Sequence, residues 1–60
     1  MSLTADDKIT AHRLIVETLK LTPAQEAGLV ALPRYEKALE CGYTGHIDSV
    51  AFLLEQAGVL

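Results

Sequence analysis

The sequence predicts an all-α fold: a small bundle of three to four short helices, completed by homodimerisation. Three observations carry that expectation. Apolar residues recur at helical spacing in segments punctuated by Thr, Pro and Gly. No segment alternates apolar and polar residues as a half-buried strand does, and no Asn-Gly or Asp-Gly hairpin signal occurs. The third observation is a mismatch between size and composition. The chain has 60 residues and is 50% hydrophobic, whereas a domain this small buries only roughly 60% of the surface its unfolded chain exposes. The apolar excess reads as a subunit interface.

The first predicted helix runs from Ala5 to Lys20 or Leu21. Thr4 is a suitable N-cap, and Asp6 and Asp7 fall in the first turn, where the helix dipole favours negative charge. Ile9, Ala11, His12, Ile15, Val16 and Leu19 fall on one side, and Asp6, Arg13 and Glu17 on the other. Leu14 lies off the apolar stripe.

Thr22-Pro23-Ala24-Gln25 starts a second helix. Thr22 can cap it, Pro23 suits its first position, and Gln25 completes a capping box. It continues to about Leu32. Ala24, Ala27, Leu29, Val30, Ala31 and Leu32 make it apolar nearly all round, so it is expected to be largely buried.

Pro33 disfavours helical geometry at Leu32 and can open a third helix from Arg34 to Cys41. Tyr35, Ala38 and Leu39 form its inner face. Gly42 is expected as a left-handed stop, with Tyr43 folding back on Ala38. The fourth helix runs from about His46 to Ala57, opened by Thr44 or Gly45. Ile47, Val50, Ala51, Leu53, Leu54 and Ala57 form its inner stripe. Gly58 supplies the stop, and Val59 is placed to contact Leu54 as in a Schellman motif. Phe52 points away from the stripe.

A chain this short often requires a staple or a partner. The single cysteine, Cys41, can form no intramolecular disulfide and no paired-cysteine zinc site. A lone thiol fits a reducing compartment, so the expected location is cytoplasmic. No apolar run approaches the ~20 residues of a membrane span. The first residues carry neither the positive nor the apolar region of a secretion signal, and Met1-Ser2-Leu3 has no functional pattern. Net charge is −3, and Lys8, Arg13, Lys20, Arg34 and Lys37 are scattered. Nucleic acid, which selects clustered cations, is not the expected partner.

His12 is the most prominent single residue, a titratable ring on the apolar stripe. It reads either as a pH-responsive interface group or as a histidine hydrogen-bonded to a neighbour, and the second reading is preferred because no base, nucleophile or acid stands beside it in sequence. Cys41 and His46 lie five apart, without the paired spacing of a metal site. Cys41 also sits at a helix C-terminus, whose negative pole raises a thiol pKa. The carboxylates lie on outer faces or helix starts, and Gly42 and Gly45 make no phosphate-binding loop. No catalytic residue, metal, cofactor or small-molecule substrate is expected.

Two local patterns resemble known families. Ala38-Leu39-Glu40-Cys41-Gly42-Tyr43-Thr44 looks like the first helix and turn of a helix-turn-helix DNA-binding motif. That resemblance implies a transcriptional regulator with His46–Ala57 as the recognition helix. The pattern departs at Asp48, which stands where the family places an apolar residue, and the helix carries Asp48 and Glu55 but no Lys or Arg. The stretch from Gly45-His46 to Val50-Ala51-Phe52-Leu53-Leu54-Glu55 is similar to the turn and second helix of one ankyrin repeat, but the Thr-Pro-Leu-His opening and a second copy are missing.

The function expected from the sequence is therefore a small cytosolic interaction or regulatory protein, non-enzymatic, acting by helix-mediated binding, with a small DNA-binding regulator as the alternative. Filling one small core leaves Leu14, Leu21, Phe52 and Leu60 on other faces. These four and His12 are the candidate interface residues of a dimer that also binds an unidentified protein partner.

Overall fold

Thr4 and Thr22 start their helices as their side chains dictate. The Asp7 N–H donates to Thr4 Oγ1 at 3.1 Å and the Thr4 N–H to Asp7 Oδ2 at 3.2 Å. The Gln25 N–H donates to Thr22 Oγ1 at 3.2 Å and the Thr22 N–H to Gln25 Oε1 at 2.9 Å. Both are reciprocal capping boxes, each satisfying two backbone N–H groups that a helix start leaves free. Accepting the Thr4 N–H also holds the Asp7 carboxyl below its ordinary pKa.

The computed structural model describes residues 3–60. Among them are four helices and no strand: α1 (Ala5–Leu19), α2 (Pro23–Val30), α3 (Tyr35–Tyr43) and α4 (Ile47–Gln56). The expectation for Met1 and Ser2 lies outside the described residues. The all-α class is shown, with α3 packed against both α1 and α4, and α1 also touching α4. The fully buried side chains come from every helix: Ala11 and Ile15 from α1, Leu29 from α2, Ala38 and Leu39 from α3, Val50 and Leu54 from α4. Leu21 and Leu32, from the connections, join them.

The ends of the helices explain the arrangement. Lys20 closes α1 in the left-handed conformation, φ 53°, and the Leu21 N–H then bonds the Val16 carbonyl at 3.0 Å. The reversal sends Leu21 inward. At the end of α4, Gly58 has φ 77°. The Gly58 N–H reaches the Glu55 carbonyl at 3.0 Å and the Val59 N–H reaches the Leu54 carbonyl at 2.9 Å. That is the complete Schellman pattern expected from the sequence.

Several expectations are corrected. Gly42 is not the stop of α3. It lies inside the helix, buried, and the same Schellman bonds occur three residues later, where Gly45 has φ 87°, its N–H bonds the Gly42 carbonyl at 3.1 Å and the His46 N–H bonds the Cys41 carbonyl at 2.8 Å. Gly42 is small because α1 comes close: a Cβ there would stand 2.6 Å from Ile15 Cγ1. Tyr43 therefore ends α3 rather than folding back on Ala38, and hydrogen bonding to Asp7 raises its phenol pKa. Helix α2 is not largely buried. Leu29 faces in, while Ala24, Ala27 and Val30 are exposed, because no helix packs along α2 as α1, α3 and α4 pack on one another. Ile9 and Ala57, expected in the core, are exposed, and Leu21, expected outside, is in the core.

Candidate functional site

Two features outside the plain core have the chemistry or shape to carry a function. The first is built around His12, near the middle of α1. Its Nδ1 lies 2.8 Å from the Tyr35 hydroxyl of α3, and its Nε2 lies 2.6 Å from Glu26 Oε2 of α2. A carboxylate only accepts, so Nε2 donates to Glu26; Nδ1 accepts from the Tyr35 O–H when the ring is neutral and donates to the Tyr35 oxygen when it is protonated. Burial and the Glu26 charge push the Tyr35 phenol above its ordinary pKa, which keeps that proton in place. The rings of His12 and Tyr35 meet edge to face, 6.1 Å between centroids.

Every polar atom of the imidazole is thus engaged within the chain. A general base or nucleophile requires an open lone pair facing a substrate, and this arrangement leaves none on His12. What the triad does is mechanical: one side chain from each of α1, α2 and α3 meets at a half-buried point and fixes α2 in place. An open groove of about 510 Å³ runs past it, floored by Ile9, Val16 and Leu39, with Lys8 and Arg13 on its rim. Lys8 is already paired with Glu36 at 2.9 Å and lowers that carboxyl's pKa, but both groups are exposed, so the pair contributes little.

The second feature is the outer face of α3 and α4. The stops at Gly45 and Gly58 fix where α4 begins and ends, and its inner stripe of Val50 and Leu54 sets which face remains outside. Phe52 stands on that outer face with 58% of its surface exposed. A groove lies on each side of it between the helices. One, of about 400 Å³, runs along Arg34, Lys37, Cys41 and Asp48; the other, of about 390 Å³, along Leu32, Pro33 and Gln56. Phe52, Leu53 and Arg34 line both. The feature is a protruding aromatic side chain beside two apolar recesses.

The remaining candidates are dispersed. Leu14 and Leu60 are exposed. Leu14 borders a shallow depression on α1 with Ile9, Thr10 and Arg13, separate from the recesses beside Phe52. Leu21 is core. Cys41 is a free, partly buried thiol. His46 caps α4 without a side-chain bond to it; its Nδ1 instead lies 2.9 Å from Thr44 Oγ1. That hydroxyl also lies within donating distance of the Glu40 carbonyl at 3.0 Å and the Cys41 carbonyl at 3.2 Å. Glu26 and Tyr35 were not recognisable as partners of His12, since they lie 14 and 23 residues away in sequence. Compared with known proteins, the chain matches no family model, no curated protein and no solved structure.

Proposed function

We propose that the chain is a small, non-enzymatic, cytoplasmic interaction or regulatory protein that binds other polypeptide through its helix surface. The observation that carries this reading is Phe52, a large aromatic group held outward by α4 next to two apolar recesses. Aromatic anchors beside pockets are what protein interfaces are built around. Two further features support it. The one imidazole on the apolar stripe is consumed by a structural triad, which weakens a catalytic reading. The free thiol of Cys41 fits a reducing compartment.

The alternative, a DNA-binding regulator, gains a three-residue turn between α3 and α4, Thr44 to His46. It gains no cation: the outer face of α4 presents Asp48, Ser49, Phe52 and Glu55, and phosphate would be repelled. The test replaces Phe52 with a photo-crosslinking amino acid in the source cell and identifies adducts by mass spectrometry, with the exposed Thr18 position as control. Discrete protein adducts from position 52 alone are expected. Adducts to nothing, or equally from both positions, would contradict the reading.

A further inference from the structure

We propose that the occupant of the Phe52 face is a second copy of this chain, docked about a twofold axis so that each Phe52 enters the partner copy's groove between α3 and α4. The inference rests on the interaction reading and names its partner and surface.

Shape is the first argument. A twofold interface uses the same patch on both subunits, so the patch must complement itself. A bare apolar bump or a bare recess fails that requirement. This face has both, adjacent: a protruding Phe52 and an empty recess walled by Lys37 and Cys41 on one side and by Asp48 on the other. Pairing inserts two knobs into two holes at once.

Charge is the second argument, and it selects this face over the apolar residues elsewhere. On α4, Asp48 and Glu55 lie one turn to either side of Phe52 and on its face, by the 100° step of a helix. Across the groove, Arg34 and Lys37 form the opposite wall. Among the described residues none of these four is in an ion pair. When Phe52 of one copy enters the groove of the other, α4 crosses that groove and brings its two carboxylates to the two cations. The patch is neutral in sum, although the whole chain carries −3, so two copies repel least along this approach. Around the exposed Ile9 and Leu14 the depression carries one charge of each sign, Arg13 and Glu17, against two of each on the Phe52 face.

Area is the third argument. The chain exposes 3917 Å², and an ordinary interface takes about 800 Å² per partner. An interface of that size would cover about a fifth of the exposed surface.

Cys41 makes the proposal testable, because it lines the recess that Phe52 would fill. Sedimentation equilibrium on the purified chain is run alongside the rate of Cys41 alkylation by a maleimide, from low to high micromolar protein. We expect a dimer at high concentration, alkylation slowed several-fold as it forms, and both effects lost in Phe52→Asp. Arg34→Glu and Asp48→Arg should each weaken the dimer, and the double exchange should restore it, since the two charges meet across the axis. A dimer that leaves Cys41 equally reactive, persists in Phe52→Asp or is not rescued by the double exchange would overturn this surface while leaving self-association intact. A monomer at all concentrations would overturn the second copy as occupant; the interaction reading would then stand if position 52 still gives discrete adducts to other proteins, and would fall with it if it gives none.

Discussion

The seam between α1 and α3 and the outer face of α3 and α4 both present apolar side chains on helices, and they end in opposite states. At the seam, Ala11, Ala38 and Gly42 are small enough for the helices to approach closely, and Ile15 fills the space against Gly42. All of these residues are buried. On the outer face, Phe52 is as apolar as anything in the core, yet no element of this chain covers it. Burial is set by whether a second element can come near, and small residues decide that. The closed seam holds the chain together. The open face has a shape and a charge pattern of its own.

Substitutions separate the two regions by size of effect. Leu39, fully buried against the seam, should give the largest: Leu39→Ala is expected to cost about 2–5 kcal/mol through lost contact and the cavity left behind, read as a lower urea midpoint. His12→Ala comes next. It removes two hydrogen bonds, one to a carboxylate, and frees α2, for a loss of about 1–3 kcal/mol; hydrogen exchange in α2 should accelerate more than in α3. A uniform change over all helices would contradict the role given to the triad.

Gly42→Ala tests the closeness of the seam directly. Alanine improves helix propensity by about 1 kcal/mol, but its Cβ meets Ile15 at 2.6 Å, and overpacking costs about 1–3 kcal/mol. Net destabilisation is expected, and a rise in Tm would show that Ile15 moves freely. Gly58→Val should cost roughly 1 kcal/mol, because a β-branched residue is strained at φ 77°. The Asp7 cap gives a smaller, pH-dependent effect. Its folded pKa lies below the ordinary 3.8, so its contribution is complete above that value and is lost as pH falls through the folded one. Asp7→Asn should therefore flatten the acid end of the stability curve and leave its slope near neutral pH unchanged. At the bottom of the scale, Phe52→Asp in dilute protein should change stability by less than about 0.5 kcal/mol, as an exposed substitution does.

What could be read from the sequence was what is local. The caps at Thr4 and Thr22 are decided within four residues, and the stop at Gly58 with Val59 after it within six, so those expectations match the structure. Gly42 and Gly45 show where local reading stops. Both are glycines near the end of one helix, and nothing within the segment says that one is reserved for contact with Ile15 and the other for the turn. The partners of His12 were hidden for the same reason, being on other helices. Apolar content alone also could not say which face of α2 is covered, so Ala24, Ala27 and Val30 were misplaced, and Leu21 went unrecognised as core because the turn at Lys20 redirects it. Phe52, set off the inner stripe by helical spacing alone, was legible; the grooves beside it, which need α3 in position, were not.

The central claim is that the Phe52 face closes by pairing with another copy of itself. The most direct measurement is Tm as a function of protein concentration for the wild type and Phe52→Asp. A dimer stabilised by association must melt higher as concentration rises, because binding partners draw the folded state forward by mass action. The wild-type Tm should climb steadily from low to high micromolar protein, and that of Phe52→Asp should stay level. A wild-type Tm that does not move over that range, or a variant that climbs in parallel, would contradict the account.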